Sequence, residues 1–376
     1  MKQITVFGFG RVGRLIANEL GRNEDLSVLA IDIREPVTPP GDGVRFEIAD
    51  LSVQSEVERL AKKTDVAVSA VPGYMGYDTV ETILGTGTDL VDISFMDNDP
   101  FELDQLAHDN GALAVVDFGV APGLSNILLA HGASLLDLPL EASIMVGGLP
   151  LNRKQPWEYT APFSPVDVLE EYTRPARLVV GGRETVVEPL SDIELIHLPD
   201  RPELEAFTTD GLRTLIHTMD IPDMVEKTIR YPGYAEKIKL LKGSGLFSTS
   251  PVEIRGSEVV PFELTSKLLM DAWDAKGGDA EMTVMRVEIA GLKNGIRTRH
   301  VFDLYDETHE TDGYTSMART TGYPAVIAAR LLASGELTGQ GVLAPEELGL
   351  DPVFTDRLLA ELAACGIPID HNTRQN

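Results

Sequence analysis

Short apolar runs alternate with amphipathic stretches through the first part of the chain. The runs fall at residues 3–7, 27–31, 44–50, 65–73, 89–94 and 112–117, with helical spacing at 14–20, 55–63 and 100–110 between them. About six strands alternating with helices predict an α/β fold, a doubly wound parallel sheet of the Rossmann type. The run 65–73 is apolar almost throughout, as a strand covered on both faces requires, and 71–76 is expected as a loop at the carboxyl end of the sheet. Gly111 reads as the C-cap of the helix at 100–110, and Ser125 or Asn126 as the cap of an apolar helix at 127–136.

From Glu141 the rhythm changes. A strand at 142–146 is expected to end in a turn at Gly147-Gly148-Leu149-Pro150. Further strands are expected at 176–180, 185–188, 194–197, 283–291 and 295–304, the last two joined through Lys293-Asn294-Gly295. Strands without regular helices between them predict an α+β substrate domain on a mainly antiparallel sheet. Such a sheet is a candidate dimer interface, and a homo-oligomer, in the simplest case a homodimer, is the expectation. Helical spacing returns at 315–332 and 345–365, read as helices packing back on the first domain. The expected division is 1–125 for dinucleotide binding, 126–312 for substrate and catalysis, and 313–376 for the C-terminal helices.

A chain of 376 residues fits two domains with substantial cores. Acidic residues outnumber basic ones 59 to 32, for a net charge of -27. That field opposes nucleic acid and anionic membranes, favours cationic ligands, and also fits a solvated surface suited to high salt. Cys365 is the single cysteine, so no internal disulfide and no zinc or other metal site is expected. No apolar run approaches the roughly 20 residues of a membrane span. The N-terminus enters a strand at once, which predicts a cytoplasmic protein.

The first strand runs into Gly8-Phe9-Gly10-Arg11-Val12-Gly13, a G-x-G-x-x-G turn opening a helix. Gly8 permits the tight turn, Gly10 lets backbone approach a pyrophosphate, and Gly13 lets helix and strand pack closely. The helix N-terminus behind them favours phosphate. Asp32 closes the second strand nineteen residues beyond Gly13, placed for the adenosine ribose hydroxyls. A carboxylate there favours NAD over NADP, while Arg34 nearby is a residue that accommodates a 2′-phosphate. Asp50 is either an adenine contact or a helix N-cap, and Val71 and Pro72 lie where doubly wound sheets hold ligands.

Four polar clusters follow, at 157–172, 205–213, 227–234 and 315–324. With the glycine turn, Ala121-Pro122-Gly123-Leu124-Ser125-Asn126 and Gly147-Gly148-Leu149-Pro150, they resemble the saccharopine dehydrogenase-like family over nearly the whole chain. The likeness is strongest to members that oxidise L-lysine at its ε-carbon. Tyr234 departs from the pattern, standing where those relatives are expected to carry histidine. The resemblance implies NAD-dependent oxidation at a carbon bearing an amine, giving an imine, then a semialdehyde that cyclises, and ammonia.

Such chemistry needs a cation for the substrate carboxylate, a proton acceptor, and a partner for the amine. Arg213, Arg230 and Arg319 are candidate carboxylate clamps, each equally readable as a structural ion pair. Asp210 is a candidate for holding or deprotonating the amine, or a turn cap, and Lys227 a candidate base if burial lowers its pKa. Tyr159, Tyr172 and Tyr231 offer hydroxyls, and His217 reads as a core histidine. Two other functions stay open: cleavage or formation of a secondary amine such as saccharopine, and a non-catalytic NAD-binding sensor.

Overall fold

The computed structural model describes residues 1–161, 168–169, 171–198, 201–273, 279–309 and 313–375. They form two compact units. The first comprises Met1–Leu135, Arg213–Met219 and Ala318–Ile369, and the second Leu136–Leu212, Asp220–Met317 and the residues from Asp370 on.

In the first unit the apolar runs become parallel strands β1 (Lys2–Phe7), β2 (Leu26–Asp32), β3 (Val44–Ile48), β4 (Val66–Ser69), β5 (Asp89–Asp92) and β6 (Leu113–Val115). Strand Gly341–Leu343 adds a seventh, in the order Gly341–Leu343, β6, β5, β4, β1, β2, β3. The order reverses between β1 and β4, the point at which such sheets open a ligand crevice. The seventh strand was not expected, because three residues are too few to show a period. It is held by Val342 N donating to Asp104 Oδ1 at 2.8 Å and Gly341 N to the Ala112 carbonyl at 2.9 Å.

Helices α1 (Arg11–Gly21), α2 (Gln54–Ala61), α3 (Gly73–Leu84), α4 (Asp104–Asn110) and α5 (Leu124–Ser134) belong to this unit. Gly111 caps α4 in the left-handed region, at φ 68°. The expected strand at 65–73 stops at Ser69, and the expected loop at 71–76 is already helix from Gly73. Neither Ser125 nor Asn126 is the N-cap of α5. That place is taken by Gly123, at φ 123°, where an added Cβ would lie 2.2 Å from the Gly119 carbonyl oxygen. His217 corrects another expectation. It is exposed on the short helix Leu215–Thr218, with Nε2 4.0 Å from Asp99 Oδ2.

The second unit is built on a nine-stranded sheet. Its strands are β7 (Leu138–Pro150), β8 (Ala176–Val180), β9 (Arg183–Val187), β10 (Ser191–Ile196), β11 (Leu204–Thr208), β12 (Asp223–Arg230), β15 (Glu281–Lys293), β16 (Ile296–Glu307) and Ile369–Gln375; a separate hairpin pairs β13 (Val252–Ile254) with β14 (Ser257–Val259). β12 and β7 pair in parallel, while β10–β11, β11–β12, β7–β15 and β15–β16 are antiparallel. The Asn-Gly turn forms as expected, with Asn294 at φ 53° and Gly295 at φ 77°.

Two expectations fail here for physical reasons. Gly147-Gly148-Leu149-Pro150 is no turn, because β7 runs through it. Gly147 is needed for close strand approach instead: a Cβ would lie 2.2 Å from the Ile229 carbonyl oxygen. The polar clusters at 205–213 and 227–234 begin inside β11 and β12, with four residues of each in the strand. The register Glu205↔Arg230 to Thr208↔Lys227 puts Glu226, Thr228 and Arg230 on one face of β12 and Lys227 and Ile229 on the other.

Among the described residues no helix is long and apolar enough to cross a membrane. Gly147→Ala is expected to cost about 1–3 kcal/mol through overpacking against β12. The check is the urea midpoint, and an unchanged midpoint would show that the strands do not need this contact.

Candidate active site

The glycine turn of the first unit is shaped for a nucleotide. Gly8 sits at φ 103°, where a Cβ would lie 2.5 Å from the Ala70 carbonyl oxygen, and a Cβ on Gly13 would lie 2.0 Å from that of Gly8. These two glycines are fixed by packing. Gly10 differs: a Cβ there meets nothing within 4 Å, and it is exposed at the start of α1. Open space beside helix N-terminal amides is what a pyrophosphate requires, so these residues fit a dinucleotide.

Asp32 is pinned at the end of β2, with Oδ2 accepting from Phe9 N at 2.9 Å and Oδ1 from Ile33 N at 2.8 Å. Phe9 is buried and packs edge-on against Phe46, with centroids 5.5 Å apart. Arg11 and Arg34 are exposed, Val12 is half-buried, and Val71 and Pro72 stand beside the turn where β4 ends. Asp50 does not cap α2, whose N-cap is Val53. Its carboxylate accepts from Ser52 N at 3.0 Å and Ser52 Oγ at 2.6 Å.

At the carboxyl ends of β5 and β6 lies a buried acidic pair. Asp92 accepts from Ser94 Oγ at 2.8 and 2.9 Å, and burial pushes its carboxyl up to about 7. Asp117 takes a two-pronged pair from Arg213, Nε at 3.0 Å and Nη2 at 3.1 Å, while Arg213 Nη1 donates to the Met96 carbonyl at 2.6 Å. Asp117 and Arg213 both have positive φ, 51° and 52°. Arg213 is therefore committed inside the first unit, not poised as a clamp. Arg319 is in the same unit, donating to the Cys365 carbonyl at 2.9 Å, with its guanidinium 5.7 Å from the Tyr323 ring.

The second unit places Arg230 on one face of β12 with Tyr159 and Tyr172 against it. Arg230 is 3% exposed, its guanidinium 4.6 Å from the Tyr159 ring. Nη2 donates to Tyr172 Oη at 3.2 Å, Glu171 Oε2 at 3.3 Å and Tyr159 Oη at 3.4 Å. Burial opposes its charge, and the neighbouring tyrosines and Glu171 restore it. Its buried Nε has no hydrogen-bond partner. Tyr159 stacks obliquely on Tyr234 at 5.1 Å and edge-on to Trp273 at 5.2 Å, and Tyr172 Oη donates to Tyr234 Oη at 3.2 Å. Tyr234 thus belongs to the wall of this box. Residues 162–167 and 170 of the first polar cluster lie outside the described residues.

The remaining candidates are held elsewhere. Asp210 accepts from Arg177, backbone N at 3.0 Å, Nε at 2.9 Å and Nη2 at 3.0 Å, so its carboxylate is engaged in an ion pair. Lys227 points to the opposite face, with Nζ 2.7 Å from Asp192 Oδ2 and 2.6 Å from Glu194 Oε1. The two carboxylates hold its ammonium in ion pairs away from the tyrosine box. Tyr231 donates to the Pro150 carbonyl at 2.9 Å under Arg153.

Sequence reasoning missed Glu226, one strand position before Lys227. It is buried, accepts from Thr209 Oγ1 at 2.7 Å, and burial pushes it up to about 8. The alternation Glu226-Lys227-Thr228-Ile229-Arg230 was the available signal. Among the described residues no group of three or more His, Cys, Asp or Glu is placed to hold a metal.

Comparison with known proteins gives matches along almost the whole chain. Residues 4–115 match the saccharopine dehydrogenase NADP binding domain and residues 119–367 the saccharopine dehydrogenase C-terminal domain. Carboxyaminopropylagmatine dehydrogenase of Synechocystis sp. is 23% identical over 98% of this chain and 97% of its own. The NADP(+), L-glutamate-forming saccharopine dehydrogenase of Saccharomyces cerevisiae is 21% identical over 96% of each chain. Bovine mitochondrial alpha-aminoadipic semialdehyde synthase is 21% identical, but this chain spans 47% of it. The solved yeast saccharopine dehydrogenase shares the fold, with a TM-score of 0.81 at 18% identity and full coverage of both chains.

Two outcomes follow from this geometry. Gly10→Val is expected to leave the melting midpoint near that of wild type while weakening dinucleotide binding in a calorimetric titration at least about tenfold. Asp92 has a folded pKa raised from 3.8 to about 7, so the stability it contributes is full below the lower value and lost as pH rises through the upper. Asp92→Asn should therefore gain thermal stability relative to wild type as pH rises from roughly 4 to roughly 7 and hold that gain above it, and a constant difference across that window would contradict the buried neutral carboxyl.

Proposed function

Since the chain belongs to the saccharopine dehydrogenase family, whose matched relatives are dehydrogenases acting on CH–NH groups, we propose that it oxidises L-lysine at the ε-carbon with NAD. It is an oxidoreductase of amino-acid-derived amines with a nucleotide cofactor. The observation that carries the lysine assignment is Arg230, a buried guanidinium in a tyrosine box whose Nε is unpartnered. An amino-acid carboxylate supplies the missing acceptor.

The other two candidate clamps are engaged, Arg213 by Asp117 and Arg319 by a backbone carbonyl. A substrate with one carboxylate suits that inventory better than one with several. Tyr159 and Tyr172 hydroxyls orient the group that Arg230 holds, and the aromatic wall excludes water from it. The bound dinucleotide supplies the hydride acceptor. The resulting imine takes up water and releases ammonia and a semialdehyde, which cyclises. NAD is preferred in this proposal because Asp32 places a carboxylate where NADP carries its 2′-phosphate.

One observation favours the alternative of secondary-amine cleavage: the yeast relative is named for forming L-glutamate with NADP. The test is reduced-cofactor formation from NAD or NADP with lysine, ornithine and saccharopine, assaying ammonia and glutamate together. Lysine-dependent NADH with matching ammonia is expected. Saccharopine-dependent reduction with glutamate release would replace the lysine assignment, and a strong NADP preference would replace NAD. Arg230→Lys should raise the KM for lysine by roughly 10- to 100-fold, the worth of about 1.5–3 kcal/mol in charge-assisted bonds.

A further inference from the structure

The face of β12 that carries Arg230 also carries a hydroxyl chain ending on a carboxyl. Thr228 Oγ1 is 2.8 Å from Thr209 Oγ1, and Thr209 Oγ1 donates to Glu226 Oε2 at 2.7 Å. All three residues are at least nine-tenths buried, and Thr228 lies between Glu226 and Arg230 on the strand face. The carboxyl is fixed in place. An added Cβ on Gly211 would lie 2.5 Å from Glu226 Cδ, so the backbone there presses directly on it.

We propose that Glu226 is the proton acceptor for amine oxidation, reached from the substrate through the hydroxyls of Thr228 and Thr209. The proposal rests on the amine-dehydrogenase assignment and deepens it. The substrate ammonium gives one N–H proton to Thr228 Oγ1 as that hydroxyl passes its own proton to Thr209 Oγ1. Thr209 in turn passes its proton to Glu226 Oε2. The amine keeps the lone pair that forms the C=N bond as hydride departs to the bound dinucleotide, so charge and atoms balance. Thr228 is the group that meets the amine, and Glu226 acts through it.

Other groups do not fill this role. Lys227 is on the far face with two carboxylates, and Asp210 is bound by Arg177. The charged groups around Glu226 are Glu171 and Asp210, which oppose its ionisation, and Arg230, which favours it. Glu205, on the same face, is occupied by Gly233 N and Ala235 N, both at 2.7 Å. Burial dominates, so the carboxyl is proton-bound below about 8 and ready as acceptor above it. A base that titrates near the working pH is the efficient kind.

The test is the pH profile of kcat for lysine in wild type and in Glu226→Gln, Thr209→Val and Thr209→Ser. Wild type should rise through an apparent pKa near 8. Glu226→Gln and Thr209→Val should lower kcat by about 10²–10⁴-fold and flatten that rise, with little change in KM, while Thr209→Ser keeps it. Glu226→Gln with the wild-type profile and rate would overturn the relay. Infrared titration separates this from failure of the functional assignment. A protonated carboxyl lost near pH 8 in wild type and missing in Glu226→Gln supports the acceptor even if lysine is the wrong amine. Its absence in wild type overturns the acceptor whatever the substrate.

Discussion

A charge taken out of water must be answered, and that constraint arranges both units of this protein. Removing an ion from water without a partner costs several kcal/mol, and the buried charges around the candidate sites show the ways of meeting that cost. Arg213 is answered by Asp117, Lys227 by Asp192 and Glu194, and Asp210 by Arg177. Asp92 and Glu226 have no cation of their own and are answered by protonation instead. Arg230 is the intermediate case, surrounded by tyrosine oxygens and Glu171 but with one N–H left over. Pairing thus separates Arg213 and Lys227, engaged by carboxylates, from Arg230, which keeps one N–H uncommitted, a distinction residue type alone does not make.

The same constraint explains what was legible beforehand. The nucleotide unit could be read from the chain because its chemistry is local: a glycine turn, an apolar strand and a helix lie within about twenty residues, and Gly8 and Gly13 do what their spacing implies. The seventh strand, Gly341–Leu343, escaped because it is short and joins β6 from more than two hundred residues away. In the second unit the signal was masked by polarity. β11 and β12 carry Glu205, Thr208, Glu226, Lys227, Thr228 and Arg230, which look like loop residues, yet all are buried. A strand that carries a site breaks the alternation of apolar and polar that would reveal it.

Individual site residues were only partly readable for a related reason. Arg230 and Tyr159 were named in advance, and the fold brings them together. Asp210, Lys227 and Arg213 were named on equally good grounds of residue type and are drawn into ion pairs whose partners come from far along the chain, such as Arg177 and Asp117. Partners at that separation leave no local trace. Gly147 shows the converse: its motif was read as a turn, while its actual role, the approach of β7 to the Ile229 carbonyl, depends on a strand not foreseen.

Substrate class in such a scaffold then becomes a question of which cations keep a donor uncommitted to an internal partner. A multiply anionic substrate needs several guanidiniums free of internal carboxylates, and each one freed inside the protein leaves its former partner buried and uncompensated. Here Asp117 and Arg213 secure each other, so releasing Arg213 to a ligand would strand Asp117 beside Asp92, which already lacks a cation. The cost of that exchange makes the pair a poor source of a second clamp. If Arg230 takes a carboxylate and Glu226, once ionised, takes the amine's proton, the same strand face of the second unit offers one carboxylate-directed and one amine-directed end. That polarity is the physical basis for preferring an amino acid with a distal amine over a substrate carrying several carboxylates.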